Sequence, residues 1–213
     1  MAQLSEIQIK NMLKKYSIPV VKGCVFKKKE GAIAFAKKLG FPVVLKGVSK
    51  DITHKTEAGA VFLNLRSEKD VSDAFEKITK NVKAYKKKAK LDGMLVQQQA
   101  HGYEFIVGGK VDPQFGPVVL FGSGGIFTEV MDDFSLRICP IEKKDAEEMI
   151  GEVKFSKVFK GFRGEKPVKV ADVIDAILKV SKIMCKENIT EMDINPLLVS
   201  NKGVIAVDAR MAR

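Results

Sequence analysis

At 213 residues, 46% hydrophobic and 30% charged, the chain has the composition of a protein that folds in water, with enough length for one large domain or two small ones. No apolar run approaches the roughly 20 residues that cross a bilayer, and the polar start MAQLSEIQIK is no secretory signal. The formal charge of +11 is mostly lysine without tryptophan or arginine forks, so it reads as solvated helix surface rather than a nucleic-acid face, with attraction for anions as a secondary effect.

A helix is predicted over 5–16. Ser5 and Gln8 make a capping box, and Ile9, Met12, Leu13 and Tyr16 recur on one face. Next come a strand over 20–26, a helix over 30–39 closed by Gly40, and a strand over 42–48. After an irregular stretch, a strand over 60–65 leads to a long helix from Ser67, with Val71, Ala74, Phe75, Ile78 and Val82 on one face. That helix ends in the lysine-rich KAYKKKAK (83–90), and a strand over 93–99 follows. The order β-α-β-β-α-β is the split unit of a small open α/β sandwich. Ala100-His101-Gly102 is the expected hinge, dividing an N-terminal lobe (1–100) from a C-terminal lobe (101–213).

The second half is richer in strands: 104–111, the turn DPQFGP, then 118–122. Helices near 143–150 and over 169–187 follow, and the chain closes on a hairpin of EMDINPLLV (191–199) and VIAVDA (204–209). If the loop is Asn201-Lys202, Val199 faces Val204 and Asn195 faces Asp208, with directly opposed side chains roughly 5 Å apart. A carbonyl oxygen and a carboxylate so placed share one hard cation such as Mg²⁺. A bulge at Gly203 would shift that register, and the hairpin alone equally fits a polar edge pair beside a turn.

Three more features carry chemistry. FGSGGIFTEV (121–130) sets Gly122, Gly124 and Gly125 after an apolar strand, where backbone N–H groups can approach phosphate, although such a turn is also ordinary punctuation. Lys46 lies inside the apolar strand PVVLKGV and must snorkel to the surface or meet an anion. His54, in the polar SKDITHKTEAGAV (49–61), is a phosphoryl-accepting nucleophile, a general base or a loop histidine bonded to backbone. The three cysteines (Cys24, Cys139, Cys185) are scattered and odd in number, which fits a reducing cytoplasm.

Together these segments resemble the ATP-grasp family, most of all the β subunit of ADP-forming acetyl-CoA (acyl-CoA) synthetases. The resemblance rests on YSIPVV (16–21), GFPVVLK (40–46), SKDITHKTEAGAV, VDPQFGPVVLFGSGGIFTEV (111–130), FSLRICPI (134–141), GFRG (161–164) and EMDINPLLV, in that order. It implies an ATP-grasp fold of α/β class, two lobes with the nucleotide between them. Lys46 would touch the phosphates, Gln97, Gln98 and Gln99 would form the hinge edge that holds adenine, and Glu104 would sit near the ribose. Gly122, Gly124 and Gly125 would border the phosphates, and Asn195 and Asp208 would hold Mg²⁺. His54 would carry the phosphohistidine, with Glu191 and Asp193 placed to orient its imidazole.

The implied reaction is acyl-CoA + ADP + phosphate ⇌ acid + CoA + ATP. The sequence holds neither a glycine-rich CoA segment nor a second acyl-phosphate histidine module. The resemblance therefore implies an α subunit carrying the CoA-binding and acyl-phosphate modules, in an α2β2-type assembly. Ser123 departs from the family, standing where an apolar residue is usual. Another ATP-grasp ligase, joining a carboxylate to an amine, and a basic nucleic-acid-binding module are the competing expectations.

Overall fold

Two separate hydrophobic cores organise the chain, one within Val21–Gln99 and one built by Met1–Val20 together with Ala100–Arg213. The computed structural model describes residues 2–49, 51–52, 55–125, 132–162 and 164–213. Helix α1 (Glu6–Lys15) starts at the expected capping box, with Ser5 Oγ accepting the Gln8 N–H at 3.4 Å and Gln8 Oε1 accepting the Ser5 N–H at 2.9 Å. Its apolar face, Ile9, Met12 and Leu13, is buried in the larger core. The N-terminal lobe expected over 1–100 is corrected here: Met1–Val20 belongs with the C-terminal residues. The reason is this apolar stripe, together with backbone bonds from Ala2 N to Arg213 O and from Leu4 N to Met211 O, both 2.9 Å.

The smaller unit runs β1 (Gly23–Phe26), α2 (Lys29–Leu39), β2 (Val43–Val48), β3 (Val61–Leu65), α3 (Glu68–Tyr85) and β4 (Gly93–Gln98). Gly40 ends α2 with φ 89°, a conformation that a side chain would resist. Ser67 starts α3 by accepting the Asp70 N–H, a cap worth about 1 kcal/mol. The sheet order is β1-β4-β2-β3 with antiparallel neighbours, so β4 splits the parallel pair β1 and β2 that α2 connects. Val43, Leu45, Met94 and Val96 face the helices and join Ala36, Val71, Ala74 and Ile78 in one core. Strand alternation then puts Val44, Lys46, Leu95 and Gln97 on the open face.

The larger unit continues with β5 (Tyr103–Asp112), β6 (Gly116–Ser123), β7 (Phe134–Ile138), α4 (Lys143–Glu152), a 3-10 helix (Lys154–Lys160), α5 (Val170–Lys186), β8 (Glu191–Ser200), β9 (Gly203–Ala206) and β10 (Ala209–Ala212). Its sheet order is β10-β8-β5-β6-β7, with β9 also paired to β8. Phe105, Val107, Val119, Phe121, Met192 and Ile194 point to the core, where Phe105 stacks on Phe121 at 5.3 Å and meets Phe159 at 4.9 Å. The other face of β5 and β6 carries Glu104, Ile106, Gly108, Leu120 and Gly122. Arg137 on the edge strand β7 donates to Glu152 at 2.5 Å, tying that strand to α4.

Candidate nucleotide and metal site

On the open face of the smaller sheet, Lys46 is only 9% exposed and is paired with Leu95 on one side and Val61 on the other. A lysine amine on this face is a group that phosphate oxygens would complement. Gln97 is diagonal to it across β2 and β4, 3% exposed, and a Cβ on Gly23 would come within 2.8 Å of Gln97 Cγ. The neighbouring glutamines differ. Gln98 is exposed at the strand end, its N–H donating to Lys22 O. Gln99 uses its amide on Asn64, accepting the Asn64 N–H at 2.8 Å and donating to Asn64 Oδ1 at 3.2 Å. That doubly held side chain is a tether for β3, where Asn64 has φ 59°. His54 lies outside the described residues.

In the larger unit the glycine-rich turn is set by backbone contacts. A Cβ on Gly122 would lie 2.8 Å from Phe134 Cβ and 2.9 Å from Asp133 O. One on Gly124 would lie 2.7 Å from the Glu104 carbonyl carbon, and Gly124 N donates to Glu104 O at 2.8 Å. Gly125 has φ 68° and its Cβ position is 2.9 Å from Glu104 Oε2. The structure thus brings Glu104, Gly122, Gly124 and Gly125 together at one end of β5 and β6.

The terminal hairpin turns through Asn201 and Lys202, with Ser200 opposite Gly203 and Val199 opposite Val204, so no bulge shifts it. Pairing resumes at Ile194 and Ala209, which puts Asn195 opposite Asp208, and Asn195 N donates to Asp208 O at 3.1 Å. Between Leu197 and Ile194, β8 has an extra residue relative to Phe105–Val107 of β5. Such a bulge re-aims side chains; here it leaves both Asn195 and Asp208 half-buried and outside the core cluster. Asp208 Oδ1 also accepts the Ala209 N–H at 3.0 Å.

Asp193, two residues before Asn195, is paired with Arg210 across the sheet. Burial pushes its carboxyl up, Arg210 opposes that, and Asp208 and Glu191 add to it. No group of three or more His, Cys, Asp or Glu side chains forms a metal cage among the described residues. One amide oxygen and one carboxylate, with a second carboxylate nearby, instead fit a hard cation that keeps waters and takes further oxygens from a phosphate.

Sequence reasoning missed Arg210 and Asp133. Arg210 lies beyond the predicted strand end, and a lone arginine near a terminus carries no pattern. Asp133 sits between two predicted segments, with no periodicity to mark it.

A family model described as ATP-grasp domain matches residues 1–212, and the chain belongs to the ATP-grasp family. Acetate–CoA ligase (ADP-forming) I subunit beta of Pyrococcus furiosus is 44% identical over 210 residues, covering 98% of this chain and 90% of that one. The 4-hydroxybutyrate–CoA ligase (ADP-forming) of Nitrosopumilus maritimus is 40% identical over 202 residues, covering 94% of this chain and 29% of that longer one. Among solved structures, acetyl-coenzyme A synthetase 1 of Ca. Korarchaeum cryptofilum, in complex with coenzyme A, Ca-AMPCP and HgCl+, matches with a TM-score of 0.93 and 44% identity. That match covers 98% of this chain and 92% of the other.

Proposed function

We propose that the chain is the nucleotide-binding β subunit of an ADP-forming acyl-CoA synthetase, catalysing acyl-CoA + ADP + phosphate ⇌ acid + CoA + ATP with an α partner. The observation that supports this most is Asn195 set opposite Asp208, on a sheet whose β6 ends in glycines at which no Cβ fits, in a chain matching a separate β subunit nearly end to end. The α partner would carry the CoA-binding and acyl-phosphate modules, in an α2β2-type assembly. The fused relative, in which the matching segment is 29% of the length, supports such a division of labour. The compartment we assign is a reducing cytoplasm, since Cys24, Cys139 and Cys185 are all free thiols.

In this reading the acyl phosphate made on the partner phosphorylates a histidine there, releasing the acid, and that phosphohistidine passes its phosphoryl group to the His54 imidazole. A β-phosphate oxygen of ADP then attacks phosphorus as the N–P bond breaks, and the electron pair returns to the ring. Lys46 offsets charge on the phosphate oxygens, and N–H groups of the Gly122–Gly125 turn donate to them. Gln97 to Gln99 flank adenine, chiefly through main chain because Gln99's amide is engaged by Asn64, and Glu104 meets the ribose. Asp193 and Glu191 hold the incoming imidazole. Magnesium, when bound, would be held by Asn195 and Asp208 and would supply charge neutralisation at the phosphates.

Melting with and without Mg-ADP is the first test, since a ligand of the native state raises stability. Mixed with its α subunit, the protein is expected to make ATP from acetyl-CoA, ADP and phosphate. His54→Ala is expected to abolish phosphoryl transfer while Mg-ADP still raises the melting temperature. Full activity in that variant would remove the relay. Activity without CoA would fit a carboxylate–amine ligase instead, and indifference to Mg-ADP with steeply salt-dependent RNA binding would fit the nucleic-acid module.

A further inference from the structure

Asp133 has no part in the chemistry above, yet it is 7% exposed and uses every acceptor it has. Its Oδ1 accepts the Lys154 N–H at 2.7 Å and its Oδ2 the Phe155 N–H at 2.9 Å, at the start of the 3-10 helix. That helix is fixed to the core through Phe155 and Phe159, whose rings lie 5.2 Å and 4.9 Å from Phe105. The backbone oxygen of Asp133 accepts the Ser123 N–H at 2.9 Å and the Ser123 hydroxyl at 3.5 Å. The same oxygen, with Phe134 Cβ, leaves no room for a Cβ on Gly122.

We propose that Asp133 is a positioning residue that sets the glycine-rich turn for the nucleotide phosphates; this rests on reading that turn as the phosphate edge. The turn is wedged between two stretches of backbone, Glu104–Phe105 on one side and Asp133–Phe134 on the other. Glu104 cannot give way, because β5 is bonded to β8 and β6 on its two sides. Asp133 precedes an edge strand paired only to β6, and beyond that pairing and the Arg137–Glu152 tie it is fixed by its own carboxylate on the 3-10 helix. The 2.9 Å bond from the Ser123 N–H to the Asp133 oxygen couples the two stretches, so a displaced Asp133 carries the turn with it. The chemistry selects a carboxylate: two adjacent N–H groups need two acceptors, and asparagine would turn a donor toward one of them. The buried Ser123 follows from the same arrangement, since its hydroxyl meets the Asp133 carbonyl where an apolar residue would leave that oxygen one bond fewer.

The test compares the unaltered protein with Asp133→Asn and with Ser67→Ala, a lost helix cap that destabilises α3 without touching the turn. At a temperature well below all three melting points, Asp133→Asn is expected to raise the Mg-ADP dissociation constant about 10- to 100-fold. Its Ser123 and Gly124 amides should exchange faster, whereas Ser67→Ala should bind as the unaltered protein does. Should Asp133→Asn not fold, Asp133→Ser keeps one of the two bonds and carries the same expectation at the lower end of that range. Binding within about twofold of the unaltered protein, or equal weakening by Ser67→Ala, overturns the proposal. Failure of the unaltered protein to bind Mg-ADP removes the nucleotide reading itself, while the amide exchange still reports whether Asp133 clamps the turn.

Discussion

The open faces of the two sheets differ in kind. The smaller sheet offers a lysine and a glutamine embedded among Val44 and Leu95. The larger one offers carboxylates (Glu104, Asp193, Asp208) and glycines at which no Cβ fits. Carboxylates repel bare phosphate and a lysine cannot ligate a divalent cation, so the two inventories suit different chemical partners. Each set of groups stands on a unit with its own core. On the larger face the carboxylate side chains are acceptors, so any anion there would have to find backbone N–H groups, which glycines leave accessible.

The comparison breaks most readily at Asp208. Asp208→Ala removes a carboxylate from the proposed metal pair. It is expected to raise the Mg²⁺ concentration for half-maximal ADP binding by more than the roughly 100-fold lost when groups that merely orient a ligand are removed. A magnesium titration at fixed ADP reads this directly. An unchanged midpoint would leave the acidic face without its metal.

Lys46→Met tests the other face with a side chain of similar length that keeps the apolar packing. A charge-assisted hydrogen bond to phosphate is worth about 1.5–3 kcal/mol, so Mg-ADP affinity should fall about 10- to 100-fold while the Mg²⁺ midpoint at saturating ADP stays put. If Lys46→Met shifts that midpoint as Asp208→Ala does, the two faces are not the separate devices described above.

How much of this is legible in the sequence follows from how local each signal is. The two-residue turn at Asn201-Lys202 fixes a register by counting, so Asn195 opposite Asp208 can be read from residue order alone. The capping box of α1, the Ser67 cap of α3 and the stripes of both are equally local; α1 lies within a residue of expectation at both ends and α3 at its start, whereas α3 stops at Tyr85, inside the lysine-rich stretch. What α1 packs against is not local: Ile9, Met12 and Leu13 announce an apolar face but not which core receives it. The edge strand β7 exposes Phe134, Leu136 and Ile138 and turns Ser135 and Arg137 inward, the reverse of the pattern that marks a half-buried strand. Gln99 looks like one more hinge glutamine beside its neighbours, because its partner Asn64 is 35 residues away.

The smallest expected effect asks why Met1–Val20 stays with the larger unit. Just beyond α1, Tyr16 Oη donates to Glu187 Oε1 at 2.8 Å and Lys15 Nζ reaches the same oxygen at 2.6 Å, binding the helix to the end of α5. Burial first, then this bond and the charge of Glu187, push the Tyr16 phenol up from 10.0 to about 12. A raised pKa means the folded state favours the protonated phenol. Its contribution is therefore whole below pH 10 and is lost as pH rises through 12. Glu187 is shifted the other way, chiefly by the Lys15 bond and then by Tyr16, so its contribution is present at neutral pH and lost as pH falls below the usual carboxylate range. Tyr16→Phe should cost about 1 kcal/mol near pH 8 and lessen the loss of stability between about pH 10 and 12. Denaturant melts followed by amide signals of α1 and of α3 across that range would read it, because only the α1 signals should gain alkaline resistance from the substitution. Equal gains in both would mean that alkali attacks the chain elsewhere, and that the anchor of residues 1–20 lies in the apolar stripe alone.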